Sequence, residues 1–199
     1  MPGNTANCVS EWQTITSDPE ILDYVQHCHI EFIDDPSKYS IYGHRNFDSQ
    51  QQSLITTEVC KLLQFGVIAS SVHEVGECIS PIFVIRKPDG SHRLIFNFKR
   101  CNQAVLYRHF KTDTLNAVIS LITAGAYMAS IDPQHAYYSI PISSEHRKFL
   151  NFSWQGHLYE FKVLPMGLSS SPRIFTKVVG NTKKDKPTLS QNHLNSLYW

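Results

Sequence analysis

A chain of 199 residues, 42% hydrophobic and 18% charged with a formal net charge of +1, has the balance of a globular protein with one sizeable core. No apolar run reaches the ~18 residues of a membrane-spanning helix, and the start "MPGNTANCVSEW" lacks the basic and apolar segments of a secretory signal, so an intracellular setting in the cytoplasm or nucleus is expected. The five cysteines (Cys8, Cys28, Cys60, Cys78, Cys101) are odd in number and form no CxxC pair, which argues against a disulfide framework or a zinc ribbon.

In chain order, "SDPEILDYVQ" reads as a helix start. Ser17 stands as the cap, Pro19 falls in the first turn and Glu20 completes a capping-box pattern. The triplet His27-Cys28-His29 has metal-ligating side chains, but neighbours in an extended chain alternate sides, which argues against one shared ion. "DDPSKYSIYGHRNFD" reads as loop. "SQQQSLITTEVCKLLQFG" sets Leu54, Ile55, Val59, Leu62 and Leu63 near one helical face and stops at Gly66.

The period then changes. "PIFVIRKPDGSHRLIFNF" is two β-rich runs around the turn Pro88-Asp89-Gly90, with Leu94, Phe96 and Phe98 alternating with Arg93, Ile95 and Asn97. "TDTLNAVISLITAGA" reads as a helix with Asp113 as N-cap and Gly125 as stop. "YMASID" reads as a strand ending in one acid, Asp132. An unpaired buried charge is costly, so Asp132 is either exposed at the strand's tip or holds a cation. "KFLNFSW" and "HLYEFKVL" form a hairpin around Gln155-Gly156. "SSSPRIFTKVV" starts a helix with Ser171 as N-cap and Pro172 behind it. After Val179 no helical or strand period continues.

Charge is divided along the chain. Residues 1–80 set eleven acids against Lys38, Arg45 and Lys61, a net of −8, while residues 81–199 set fifteen Lys/Arg against six acids, a net of +9. The densest basic stretch runs from Arg86 to Lys111 and also holds Lys87, Arg93, Lys99, Arg100 and Arg108, with Asp89 as its sole acid. It fits phosphate contact and a solvated basic face equally well.

Taken in order, "IRKPDGSHRLIFNFKRCN", a helix, "SIDPQHAYYSIPI", a hairpin and "LPMGLSSSPRIF" resemble the fingers and palm of retroelement reverse transcriptases. The wording is closest to DIRS-like retrotransposons, "EWQTITSDPEIL…IEF" included, and the likeness covers residues 11–179. The resemblance implies an α+β fold, the fingers and partial palm of a right-hand polymerase, with an antiparallel sheet packed on helices. It divides the chain into a lead-in with one helix (1–48), fingers and partial palm (49–179) and a disordered or out-of-frame tail (180–199). The implied reaction is templated addition of deoxynucleotides to a primer 3′ end. Its partners are an RNA or DNA template-primer, deoxynucleoside triphosphates and Mg²⁺.

The same resemblance assigns residues. Asp132 corresponds to the first metal-binding carboxylate of the palm, with the Pro133 carbonyl as a backbone ligand, since magnesium takes oxygen donors. Tyr137 corresponds to the aromatic under the sugar that excludes a 2′-hydroxyl. By alternation alone, one of Tyr137 and Tyr138 belongs to the core and the other to the surface. Arg86 and Arg93 correspond to residues that grip the triphosphate, and Lys87 fills the first of these roles equally well. Met166 and Gly167 lie in the loop beneath the nucleotide, where glycine permits close backbone approach. Two departures stand out. His135 replaces the family's second acid, and no Tyr-x-Asp-Asp occurs, Asp185 being the only acid after Glu160. The expectation is a reverse transcriptase fragment that is inactive alone. The alternative is a non-catalytic nucleic-acid-binding module built on the same basic fingers.

Overall fold

The computed structural model describes residues 1–41, 45–110, 119, 125 and 136–181. The expected helix "TDTLNAVISLITAGA", apart from Ile119 and Gly125, lies outside the described residues, as do the expected strand "YMASID" and the chain beyond Asn181. Where the sequence suggests one helix ahead of residue 48, there are two: α1 (Val9–Ile15) and α2 (Pro19–His27). No side chain caps α1 at its N-terminus, and a short uncapped helix leaves little local signal; its one buried residue is Trp12. In α2 the cap is Asp18 rather than Ser17. The Asp18 carboxylate accepts the Glu20 N–H at 2.9 Å. The reason is local: Pro19 takes the first helical position and disfavours helical geometry in the residue before it, the extended conformation of an N-cap.

The third helix, α3 (Ser49–Gln64), is closed at both ends by its sequence. Asp48 and Gln51 form a reciprocal capping box. At the other end Gly66 adopts φ +72°. Its N–H reaches Leu63 O and the Val67 N–H reaches Leu62 O, both at 2.9 Å, the paired bonds of a Schellman ending. Ile55 and Val59 are its fully buried residues, and Leu62 and Leu63 pack partly buried against the core.

The chain then enters β1 (Ile68–Ser71), which the sequence reading missed because four residues are too few to show a period. A ribbon follows, β2 (Ile82–Arg86) and β3 (His92–Phe96), closed by Lys87 N–H to Ser91 O at 2.7 Å and Gly90 N–H to Lys87 O at 2.9 Å. A single helical turn, α4 (Ser144–Arg147), precedes the hairpin β4 (Asn151–Trp154) and β5 (His157–Phe161). Gln155 at φ +49° and Gly156 at φ +78° make the tight turn between them. Antiparallel pairing gives a sheet in the order β1-β5-β4, with β2-β3 as a separate ribbon. The last helix, α5, spans Ser171–Asn181. The Ser171 hydroxyl does not cap it; it donates to Pro165 O at 2.7 Å.

One core joins these parts. Ile82, Val84, Leu94 and Phe96 turn the ribbon's inner face toward it, and the Phe96 ring meets Phe152 and Phe161 edge-on at 4.8 and 4.9 Å. Trp12, Ile21, Val25 and Ile30 of the lead-in pack into the same cluster as Ile140, Leu164 and Ile174. The described residues of the lead-in therefore share one core with the rest of the described chain. Among the described residues no helix is long and apolar enough to cross a membrane.

Candidate nucleotide and nucleic-acid site

The register of the ribbon decides which cations share a face. Arg86 lies opposite His92 and Ile85 opposite Arg93. Cross-strand partners project to the same side and neighbours along a strand to opposite sides. Arg93 therefore belongs to the outer face with Phe83, Ile85 and Ile95, whereas Arg86 belongs to the face of Val84 and Leu94. Lys87, one residue past Arg86, alternates onto the Arg93 side. All three side chains are exposed.

Beneath the ribbon runs the loop Leu164–Ser170. Gly167 adopts φ +93°, and a Cβ placed on it would stand 3.2 Å from Phe96 O and 3.6 Å from the Phe98 ring. The loop backbone thus lies directly against the end of β3. Asn102, in the turn Cys101–Gln103, fastens it there: the side-chain amide donates to Gly167 O at 3.0 Å, and its oxygen accepts the Ser169 N–H at 2.9 Å. Sequence reasoning missed Asn102, because a clamp across 65 residues leaves no local pattern. Held this way, the loop projects Met166 outward, 44% exposed, with its sulfur 3.6 Å from Arg93 Nη2.

Tyr137 and Tyr138 lie in a 3₁₀ turn, Ala136–Ser139, and both are half-buried, so strand alternation does not separate them. The Tyr137 ring packs edge-on against Phe175 of α5 at 5.4 Å. Burial raises the pKa of the Tyr138 hydroxyl, and the nearby Arg93 charge partly opposes that rise. The N-terminus braces this turn: Gly3 N–H donates to Tyr138 O at 2.7 Å, and the Thr5 hydroxyl lies 3.0 Å from Ser139 O. The structure thus gathers Arg93, Met166, Gly167 and Tyr138, with Lys87 on the same ribbon face. Asp132 and Pro133 lie outside the described residues.

Electrostatically the basic stretch is not uniform. Arg108 is paired with Glu31, which also accepts Arg173 Nη2 at 3.1 Å. Arg86, Lys87, Lys99 and Arg100 are exposed, and none makes an ion pair among the described residues. Among the described residues the side-chain hydrogen-bond acceptor of Arg93 is a thioether, a weak acceptor.

A family model described as reverse transcriptase (RNA-dependent DNA polymerase) matches residues 85–193. The Pro-Pol polyprotein of simian foamy virus type 1 is 26% identical over 137 residues, 69% of this chain and 12% of the polyprotein. The enzymatic polyprotein of cauliflower mosaic virus (strain Strasbourg) is 27% identical over 147 residues, 71% of this chain and 20% of that one. The chain therefore spans only a small part of the relatives it matches. A foamy viral protease-reverse transcriptase solved in complex with an RNA/DNA hybrid superposes with a TM-score of 0.67 at 21% identity, covering 82% of this chain and 21% of that one. The same type of protein in complex with double-stranded DNA gives a TM-score of 0.62 at 22% identity, covering 82% and 27%. The helices and antiparallel sheets described above are those of a polymerase fingers and partial palm, and the family model spans more than half of the residues: this chain belongs to the reverse transcriptase family.

Proposed function

We propose that this chain supplies the grip of a reverse transcriptase on its template-primer and incoming deoxynucleoside triphosphate. The observation that carries this reading is the set of exposed cations, without ion pairs among the described residues, beside a loop clamped for close approach. Arg93 and Lys87 share a face and hold the triphosphate, Arg93 by its planar two-pronged donor set. Lys87 takes the role for which Arg86 is the other candidate; alternation past the end of β2, which puts Lys87 on the side of Arg93, supports that choice. Gly167 lets the backbone approach the nucleotide, Met166 packs beside it, and Tyr137 lies under the sugar and excludes a 2′-hydroxyl. The foamy viral structures that contain double-stranded DNA and an RNA/DNA hybrid support a template-primer as the ligand.

Reverse transcriptases work with divalent metal ions, which supply charge stabilisation to phosphoryl transfer. Asp132 and the Pro133 carbonyl are the ligands that the resemblance points to. No Tyr-x-Asp-Asp occurs in these 199 residues, whose only acid after Glu160 is Asp185. Asp132 and the Pro133 carbonyl by themselves supply one side of a two-ion site, and further carboxylates would have to complete it. The finer reading is a DIRS-like retroelement acting in the cytoplasm or nucleus, with a lead-in (1–48), fingers and partial palm (49–179) and a tail (180–199). A non-catalytic nucleic-acid-binding module rests on the same cations.

Binding of labelled single-stranded DNA and RNA as a function of salt tests the grip. With about four phosphate contacts, log K should fall against log salt with a slope near −3. Replacing Arg93 and Lys99 together with Ala should flatten the slope by about 1.5. Affinity indifferent to salt would remove the basis of this reading.

A further inference from the structure

The end of α2 gathers three groups that the polymerase reading does not use. Asp23 and His27 stand one turn apart on the helix and share a face. Cys28 follows in an isolated bridge to Ile142, and alternation sends its thiol inward, fully buried, while returning His29 to the side of His27. Asp23 Oδ1 lies 2.8 Å from His29 Nδ1 and 3.8 Å from His27 Nε2. Asp23 Oδ2 accepts the His29 backbone N–H at 3.4 Å, which orients the carboxylate. One ligand atom from each of the three residues lies within 4.8 Å of the others. The two rings stand edge-on, 5.3 Å apart.

We propose that Asp23, His27 and His29 bind a zinc-class divalent transition-metal ion. Tetrahedral coordination with bonds of about 2.0–2.2 Å places ligand atoms roughly 3.3–3.5 Å apart. The observed 2.8 and 3.8 Å straddle that separation, so small rotamer shifts complete the geometry. Two imidazoles and a carboxylate select Zn²⁺, Co²⁺, Ni²⁺ or Cu²⁺ over Mg²⁺, which separates this site from the family's Mg²⁺ chemistry. The side chains are 33% (Asp23), 49% (His27) and 40% (His29) exposed, which leaves a fourth position open to water. The Cys28 thiol is fully buried, and its inward direction keeps it out of the ligand set. A hydrogen bond between Asp23 and His29 satisfies those two groups alone; His27 Nε2 is then left too far for one, and an ion serves all three.

The site has a mechanical consequence. Residues 28–30 cross the palm, where Cys28 N–H donates to Pro141 O at 2.9 Å and Ile30 N–H donates to His146 Nδ1 at 2.9 Å. An ion joining α2 to His29 pins the lead-in where it docks.

The test is a titration of the tag-free, reduced, metal-free 199-residue chain with Co²⁺ and with Zn²⁺. The expected result is one equivalent bound, a visible Co²⁺ spectrum without the near-ultraviolet thiolate band, and a Tm raised by Zn²⁺. His27→Ala with His29→Ala should weaken binding by at least about 10–100-fold, the loss that even outer partners of a metal ion cause. His27 is exposed and His29 half-buried in its bond to Asp23, so a small fall in the metal-free Tm of this variant is expected; should it misfold, Asp23→Asn is expected to show the same loss. A thiolate band, or affinity unchanged in either variant, would overturn the proposal in favour of cysteine or adventitious binding. No uptake would reduce the cluster to an Asp–His ion pair.

Discussion

Gly167 and Asn102 hold the candidate site together one residue at a time. At φ +93° an L-residue is strained, and the 3.2 Å approach to Phe96 O leaves an added methyl in a tight contact with backbone. Gly167→Ala should therefore destabilise the chain by about 1–3 kcal/mol in urea unfolding, and Asn102→Ala, which strips two hydrogen bonds, by about 1–2 kcal/mol. The choice between Arg86 and Lys87 belongs to this scale too. In an active chimera carrying a related element's Asp-Asp turn and thumb, Lys87→Ala should raise the KM for deoxynucleotide about tenfold, the worth of one charge-assisted hydrogen bond. Arg86→Ala should have a smaller effect; the reverse order would show that the ribbon twists Arg86 into the site. By resemblance the Met-Gly pair is expected to let the backbone approach a nucleotide, whereas the close approach in the structure is to the end of β3. Asn102 was not legible in the sequence, because its two partners are distant in the chain.

At the scale of elements, the acidic α2 and the basic α5 latch the lead-in onto the palm. Arg173 reaches Glu20 at 3.2 Å, the Tyr24 hydroxyl at 2.8 Å and Glu31 at 3.1 Å, while Lys177 pairs with Glu20 and with Asp18. Burial alone would raise the Glu20 pKa, but hydrogen bonds from Lys177, Tyr24 and Arg173 outweigh it and lower it from 4.5 to about 2. A carboxylate with a depressed folded pKa stabilises above its unfolded pKa and loses that contribution as pH falls through the folded one. Stability should therefore fall between about pH 4.5 and pH 2, by about 1 kcal/mol once screening at this partly exposed site is counted. Glu20→Gln should remove that part of the pH dependence; melts of wild type and variant with parallel pH profiles would show that the latch carries no charge. The helices α2 and α3 and both hairpins were legible because caps, Pro-Asp-Gly and Gln-Gly act within a few residues. Nothing comparable announces α1 or β1, which exist through Trp12 burial and through pairing with β5.

For the whole molecule, the division of charge read from the sequence is partly internal. Arg108, Arg173 and Lys177 from the basic part neutralise Asp18, Glu20 and Glu31 from the acidic part, which leaves the cations between Arg86 and Arg100 to face outward. The 199-residue polypeptide should bind nucleic acid but not extend a primer with Mg²⁺ or Mn²⁺. Two divalent ions about 4 Å apart repel strongly, and one bridging carboxylate cannot offset that. In the chimera, Asp132→Asn should abolish extension and Tyr137→Ala should admit ribonucleotides. Robust, Asp132-dependent extension by the unmodified 199 residues would refute the incomplete-site reading.

The sequence by itself determined the class of the fold and the order of its main elements. Periodicity, capping and turn chemistry are local, and an ordered set of such motifs identifies a family. Tertiary structure decided the rest. Strand register put Arg93 on one face of the ribbon and Arg86 on the other. Packing brought Asn102 to the Gly167 loop and merged the lead-in with the palm. The turn from α2 into the Cys28 bridge set His27 beside His29, with Asp23 completing the group that the triplet read alone did not suggest. Such pairings depend on which surfaces meet once the core closes, and that information is spread over residues far apart in the chain.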